Sequence, residues 1–324
     1  MYERRWHHIS LVAILLLAAF LNFFQLQLNG YGNMYYAAAV KSMLTSWHNF
    51  FFVSFDPGGF VTVDKPPLAL WIQAASAKIF GFSGFSLLLP QALAGILSVY
   101  VLYRLVRRTF GPAAGLLAAL ALVLTPISVV MNRDNNMDTL LVLTLLLGAW
   151  CVLKASEMGS LRWLLLSVLL VGLGFNMKTL EAYLIVPAFG LLYLLGSPLS
   201  WGKRAVHLLL ALLVLLVVSL SWLVAVDLTP ASQRPYIGSS QANSEIELAL
   251  GYNGLQRLTG MSRPGGDGGN RNVPPSSSSR SPSPSVAPAG SNLQPPSPSS
   301  GAPGGPGGGG ANNPFSEGGS PSIL

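Results

Sequence analysis

Apolar runs separated by short polar segments fill most of the chain between Ile9 and Val226. A membrane-spanning helix needs roughly 20 predominantly apolar residues. By that criterion the pattern predicts seven spanning helices, at about 9–29, 85–104, 112–132, 138–153, 161–177, 180–198 and 205–226. The fourth and fifth apolar runs are short, so we expect Asp138 and Lys178 at the hydrocarbon edge, with Lys178 extending its ammonium towards water.

The polar segment between the first two predicted spans, about residues 30–84, is long enough to hold further structure. Apolar side chains recur at helical spacing over Asn33 to Phe50 and again over Pro66 to Phe80. Amphipathic helices of this kind lie on membrane surfaces, so we predict two interfacial helices. The alternative is that the second segment re-enters or spans the membrane, which would invert the sidedness of all later loops.

Composition supports an all-α polytopic membrane protein, because 51% of the 324 residues are hydrophobic and 10% are charged. The formal net charge is +7. Most of the cations flank apolar runs, so they indicate membrane topology, and no nucleic-acid partner is expected. The single cysteine, Cys151, lies within an apolar run, which excludes a disulfide framework and does not suggest redox chemistry.

Loop charges predict the orientation of the chain. In the seven-span arrangement one side carries Arg4, Arg5, Arg104, Arg107, Arg108, Lys154, Arg162, Lys203 and Arg204. The positive-inside rule makes that side cytoplasmic, so we expect a multi-pass cell-membrane protein with a cytoplasmic N-terminus. Nearly all acidic residues of the membrane part then lie on the outer face.

The character of the chain changes near residue 260, after which Gly, Pro, Ser and Asn dominate. Such a segment buries too little apolar surface to offset the entropy of ordering. We therefore predict a membrane domain over residues 1–260 and a disordered, extracytoplasmic tail over residues 261–324.

Ionisable groups at a membrane boundary are costly and often mark a functional site. In Asp64-Lys65-Pro66-Pro67, the ammonium and the start of a predicted helix both favour an anion such as a phosphate ester. An ordinary solvated ion pair is the alternative. The residues of the second cluster, Asp134, Asn135 and Asp138, offer oxygen ligands suited to Mg²⁺ or Ca²⁺, although Asp138 also suits a helix N-terminus. No cofactor is certain, and a divalent metal stays open.

Lys178 and Glu181 stand three residues apart where two predicted spans meet. They can pair with each other, or they can converge with Asp138 on one rim. Asp56 lies in an Asp-Pro-Gly turn, a sequence that is usually structural. Together the charged groups predict a pocket for a lipid with a phosphate head, reached by an acceptor from the outer aqueous side.

Several short motifs occur in the order found in the polytopic glycosyltransferases of family 39. They are Tyr35 to Ala38, Asp64 to Leu68 followed by Trp71, Phe80-Gly81, Leu89 to Gly95, Arg107-Arg108 with Phe110-Gly111, Arg133 to Asp138, Arg234 to Ser239 and Gly251 to Gly254. Residues 1–260 resemble this family, which includes protein O-mannosyltransferases and the aminoarabinose transferase acting on lipid A.

The resemblance implies a type C glycosyltransferase fold, a polyprenyl-phosphate sugar donor and inverting transfer on the extracytoplasmic face. It implies that Lys65 binds the donor phosphate with support from Asp64, and that Asp138 contributes to the active site. We add further candidates from the same rim. They are Arg133 and Lys178 for the phosphate, and Tyr35, Asp134, Asn135 and Glu181 for the acceptor pocket.

Two departures from the family are visible. Where the family carries an Asp-Glu pair before the Tyr-Tyr helix, this chain has Gly32 and Asn33, so Asp56 or Asp64 is our substitute for the catalytic base. Family members also continue with further spans, so we expect a C-terminally truncated chain. The alternatives to an enzyme are a lipid-linked sugar carrier or translocator and an inactive remnant. A transporter favours internal repeats with midplane sites, whereas these charges lie at one rim.

Overall fold

The computed structural model describes residues 2–251, and the predicted tail lies outside the described residues. This part of the chain is helical, with β pairing limited to two single bridges within residues 2–251. The α-helices are α1 (Tyr2–Phe23), α2 (Met34–Met43), α3 (Trp47–Phe52), α4 (Leu68–Phe80), α5 (Gly84–Leu124), α6 (Pro126–Asn132), α7 (Asp138–Met158), α8 (Leu161–Lys178), α9 (Val186–Gly196), α10 (Trp201–Leu228) and α11 (Glu245–Leu250). The all-α prediction is confirmed.

Five stretches of the described chain are long and apolar enough to cross a membrane: Trp6–Asn29, Gly84–Leu124, Asp138–Met158, Leu161–Gly196 and Trp201–Leu228. The longest of them, α5, reverses direction at Gly111, whose backbone is non-helical with φ 86°. A left-handed backbone favours glycine because it lacks a Cβ. Val99 and Tyr103 before the reversal share one apolar cluster with Ala119 and Val123 after it, so the two halves of α5 form an antiparallel hairpin.

A second reversal lies between α8 and α9, in a 3₁₀ helix over Thr179–Ile185. Thr179 has φ 42°, and the rings of Phe175 and Tyr183 meet across the turn with centroids 4.9 Å apart. With both reversals, the described helices occupy the positions of the seven predicted spans. The prediction of one unbroken helix over 112–132 is wrong, because the helix stops at Thr125 and α6 begins at Pro126, a residue favoured in the first helical turn.

The long loop between α1 and α5 packs on the bundle. Its predicted first helix, Asn33 to Phe50, is divided into α2 and α3, and the Ser46 side chain caps α3 by accepting from the Asn49 amide. The indole of Trp71 in α4 donates to the Phe50 carbonyl at 2.7 Å, and Trp222 in α10 donates to Phe51 at 3.0 Å. The membrane-surface position of these helices stays a prediction.

Charged side chains separate to the two ends of the bundle. At one end, Arg108 of α5 pairs with Glu157 of α7, and Lys154 lies over the ring of Trp163. The first residue of α7, Asp138, lies at the other end with the last residue of α8, Lys178. This separation follows from alternating helix directions, and it gathers the predicted site residues at one end.

Candidate functional site

Asp138, Lys178 and Glu181 form one ionic cluster. The Lys178 ammonium lies 2.5 Å from Asp138 Oδ1 and 2.9 Å from Glu181 Oε2. The cation is therefore shared by two carboxylates, as expected if the three residues converge on one rim. Asp138 is the first residue of α7, as expected for a residue that suits a helix N-terminus, and its carboxylate also binds Lys178.

Asp64 and Lys65 form a second, less exposed ion pair just before α4. The Lys65 ammonium lies 2.7 Å from Asp64 Oδ2, and the lysine is 4% exposed. A buried ammonium is stable only with compensating partners, so this pair is no solvated surface contact. The backbone before it is held at Thr62, whose amide donates to the Tyr236 carbonyl at 2.9 Å.

Both ionic clusters adjoin the same apolar core. Val63, next to Asp64, belongs to one buried cluster with Met137 and Met177, the neighbours of Asp138 and Lys178. The rigid packing of that core sets the positions of both charged groups at the same end of the bundle.

A third polar cluster, formed by the Asp227–Arg234 ion pair and Glu245, was missed as a site by sequence reasoning. Arg234 lies 3.1 Å from Asp227 Oδ1, and the same carboxylate accepts the Glu245 amide at 2.8 Å and the Ser244 hydroxyl at 2.6 Å. Glu245 is 3% exposed. Burial raises its pKa to about 8, with the charges of Asp227 and Asp64 adding to the effect and Arg234 opposing it. The Glu245 carboxyl therefore keeps its proton near neutral pH, close enough to Asp64 to sense its charge.

Arg133 is built into the end of α1. Its guanidinium donates to the carbonyls of Leu21 and Phe24, both at 2.8 Å, and its own carbonyl accepts from the Asn29 side chain at 2.9 Å. Arg133 is 1% exposed, and burial lowers its pKa below the ordinary value. These contacts satisfy carbonyls that the C-terminus of α1 would otherwise leave unpaired. Arg133 therefore has a structural role.

Asp134 and Asn135 dock on the start of α2. The amide of Asn33 donates to Asp134 Oδ1 at 3.1 Å and to Asn135 Oδ1 at 2.6 Å. Gly32 has φ 67°, and a Cβ placed there would stand 2.6 Å from Asp134 Oδ1. A side chain at position 32 would therefore be strained by the backbone conformation and would displace the side chains of Asp134 and Asn135.

Asp56 and Tyr35 have different surroundings from the ionic clusters. The Asp56 carboxylate accepts the amides of Phe60 and Val61, each at 3.0 Å, and so closes its own turn. The Tyr35 ring stacks on Phe55 with centroids 4.8 Å apart. Within residues 2–251, no group of three or more His, Cys, Asp or Glu side chains is placed to hold a metal ion.

A mostly apolar cavity of about 240 Å³ lies beside Asp138. Gly95 and Ser98 of α5, Ile127 of α6 and Val142 of α7 line its walls. A carboxylate at the edge of an apolar cavity suits a ligand with a polar head and a hydrocarbon chain.

Comparison with known proteins places this geometry in a family. Residues 64–222 match the family model described as dolichyl-phosphate-mannose-protein mannosyltransferase. YycA of Bacillus subtilis, whose name describes it as a candidate mannosyltransferase, is 54% identical over 252 residues, which are 78% of this chain and 37% of that protein. The chain therefore spans little more than a third of the length of this relative.

Two further proteins extend the comparison. The undecaprenyl phosphate-alpha-4-amino-4-deoxy-L-arabinose arabinosyl transferase of Pseudomonas paraeruginosa is 32% identical over 173 residues, covering 50% of this chain and 30% of that protein. The crystal structure of ArnT from Cupriavidus metallidurans in the apo state superposes with a TM-score of 0.51 at 25% identity, covering 70% of this chain and 42% of that one. The bundle is thus of the type C glycosyltransferase kind, and residues 64–222, just under half of the chain, are similar to the dolichyl-phosphate-mannose-protein mannosyltransferase family.

Proposed function

We propose that this chain is a membrane glycosyltransferase that moves a sugar from a polyprenyl-phosphate donor to an extracytoplasmic acceptor, with inversion at the anomeric carbon. The observation that carries the proposal is the buried Asp64–Lys65 pair at the start of the family-matched region. The Pseudomonas relative is named for an undecaprenyl phosphate-linked sugar, which supports a lipid-phosphate donor. The chain spans 37% of the YycA relative, so activity in this chain itself needs a direct test.

Lys65 is our first choice for binding the donor phosphate. The ammonium of Lys65 pairs with the Asp64 carboxylate just before α4. Lys178 lies between the carboxylates of Asp138 and Glu181, and two negative charges at that position would repel a phosphate. Arg133 donates to main-chain carbonyls of α1, so we assign it to holding the fold. The apolar cavity beside Asp138 is our proposed place for part of the lipid chain.

The proposed reaction is a single displacement. An acceptor hydroxyl passes its proton to a carboxylate while its oxygen attacks the anomeric carbon. The bond from that carbon to the phosphate oxygen breaks, and its electron pair remains on the lipid phosphate. Positive charge held at the leaving phosphate stabilises this transition state, which is the part we assign to Lys65.

Asp138 is our candidate for the base. Its side chain is 37% exposed, so an acceptor can reach it. Asp56 is occupied by the amides of its own turn, and the Asp64 side chain is only 15% exposed. Tyr35, Asp134, Asn135 and Glu181 are proposed to shape the acceptor side of the site. No metal is assigned to this reaction.

The site faces outward if the cation-rich end of the bundle is cytoplasmic, as the positive-inside rule favours. We therefore propose a multi-pass cell-membrane protein with a cytoplasmic N-terminus. Single cysteines introduced at exposed Lys78 and at exposed Lys203 would test this in intact cells with a membrane-impermeant thiol reagent. Labelling of the Lys203→Cys variant alone would contradict the orientation.

The activity test is transfer of labelled sugar from polyprenyl-phosphate donors in membranes that contain this chain. Lys65→Ala should lower transfer by about 100-fold or more, because it removes a charge that stabilises the transition state. Asp138→Asn should give a similar loss. Lys78→Ala is the matched control, since Lys78 is an exposed lysine at the last turn of α4.

Two results would overturn the proposal. Transfer at the unmodified rate by Lys65→Ala would remove Lys65 from the reaction. Donor retained by the unmodified chain through Lys65, with no transfer to any acceptor fraction, would favour a lipid-linked sugar carrier instead.

A further inference from the structure

A basic cavity lies at the end of the bundle opposite the ionic clusters. Its volume is about 660 Å³, and it is lined by Arg104, Leu105, Arg107, Arg108, Trp150 and Lys154. The arginines stand three and four residues apart on one face of α5, and the lysine comes from α7. In the sequence these cations indicate only membrane topology, and the proposed reaction does not involve them.

The position of the cavity along α7 separates it from the glycosyltransferase site. Asp138 begins α7, and Lys154 follows 16 positions later, so the two lie about 24 Å apart at a rise of ~1.5 Å per residue. The hydrocarbon core of a bilayer is about 30 Å thick. Lys154 therefore lies near the membrane boundary opposite Asp138.

Aromatic side chains hold two of the cations in place. The Arg104 guanidinium lies 5.4 Å from the ring centroid of Trp150, and the Lys154 ammonium lies 5.7 Å from the same centroid. Lys154 also lies 4.2 Å from the ring of Trp163. Tryptophan prefers the membrane interface, so these contacts present the charges at headgroup depth.

The cations outnumber the carboxylates at this cavity. Within residues 6–251, Glu157 is the one carboxylate that forms an ion pair with a cation of the cavity, and its partner is Arg108. Arg104 and Arg107 donate to tyrosine hydroxyls one turn earlier, Tyr100 at 2.9 Å and Tyr103 at 3.0 Å. Each such contact uses one of the five N–H donors of a guanidinium, which leaves donors for an external anion.

We propose that this cavity binds a phosphate-bearing headgroup, that of an anionic phospholipid in the leaflet opposite the glycosyltransferase site. Arginine forks match phosphate oxygens in pairs, and lysine adds a point charge. Basic pockets between spanning helices are suited to anionic headgroups, which the leaflet supplies at high local concentration. The volume is within the range of small-molecule sites.

The test is native mass spectrometry of the whole chain, released from micelles doped with phosphatidylglycerol or with zwitterionic phosphatidylcholine. We expect phosphatidylglycerol to be retained and phosphatidylcholine to be lost. Arg104→Gln combined with Lys154→Gln should weaken retention by about tenfold or more. Lys203→Gln is the control, because Lys203 is a cation near the same end but outside the cavity lining. Arg107→Gln is a second variant, should the first fail to fold.

The outcomes separate the two sources of phosphate. Phosphatidylglycerol retained equally by the control and by the folded cavity variants would overturn the site. Equal retention of the two lipids would do the same. Displacement of phosphatidylglycerol by low-millimolar inorganic phosphate would overturn the lipid assignment, whereas retention in its presence would support it.

Discussion

The two ends of the bundle hold their cations in opposite ways. At the end with Asp138, Lys65 and Lys178 each contact carboxylates at 2.5–2.9 Å, and Lys65 is almost fully buried. At the other end, Arg104 and Lys154 lie against tryptophan rings. Lysines that are already paired with carboxylates are held in fixed positions. Cations that have tryptophan rings instead of carboxylates beside them stay available to external anions.

The difference suggests different tasks for the same residue types. A site that stabilises a developing charge must be organised before the substrate arrives, and ion pairs anchored on a common core do that. A headgroup site needs accessible charge at the interface. Substitutions at the first end should therefore disturb the fold or the chemistry, and those at the second should disturb lipid contacts with little effect on stability.

The largest effect is expected at Arg133, which is even more deeply buried than Lys65 at the end of the bundle that carries Asp138. Arg133→Gln removes charged hydrogen bonds to the carbonyls of Leu21 and Phe24, and each such bond is worth about 1.5–3 kcal/mol. We expect destabilisation by about 3 kcal/mol or more, measured as a loss of folded protein in thermal melts by size-exclusion chromatography. Arg162→Gln is a control from the other end. Equal melting temperatures for Arg133→Gln and Arg162→Gln would show that the burial of Arg133 does not make the two ends of the bundle differ in stability.

Arg133 also shows what the sequence could and could not predict. The apolar runs were enough to predict the positions of the spans. The positions of Lys178, Glu181 and Asp138 at helix ends were enough to predict that these residues lie on the same rim. The partners of Arg133 lie 109 and 112 positions away along the chain, and no local pattern encodes such a contact.

The burial of Glu245 could not be predicted for the same reason. Its surroundings form when the segment after α10 docks beside Thr62 and Asp64. In the sequence, Glu245 directly after Ser244 indicates only an ordinary helix start, where a glutamate is usually exposed. By contrast, the division of α2 from α3 had a local signal, because Ser46 is a good capping residue.

Glu245 gives the first end a pH dependence. Its pKa is raised from 4.5 to about 8, so the folded state favours the protonated carboxyl. The stabilisation is complete below the unfolded pKa and is lost as pH rises from 4.5 towards 8. Relative to Glu245→Gln, the unmodified chain should lose several degrees of melting temperature over that window. Glu247→Gln, two positions on, should show no such trend. Parallel curves for the chain and Glu245→Gln would contradict a buried, protonated Glu245.

Lys178 tests the shared ion pairs of the first end. Lys178→Met leaves Asp138 and Glu181 without their common cation, and Asp138→Asn should restore part of the loss. The double-mutant cycle should give a coupling of about 1 kcal/mol, within the range for residues in direct contact. The measurement is the shift in melting temperature of the two single variants and the double variant. Strictly additive shifts would mean that the pair contributes nothing to stability.

The smallest effect is expected for the matching cycle at the other end, Arg108→Gln with Glu157→Gln. This ion pair has the same chemistry, but its side chains are 38% and 48% exposed, and exposed pairs contribute about 0–1 kcal/mol. We expect a coupling below about 0.5 kcal/mol that disappears in high salt, since screening acts on exposed charges. Melting in low and high salt measures both quantities. A coupling as large as that of Lys178 with Asp138, and insensitive to salt, would erase the distinction between an organised end and an accessible one.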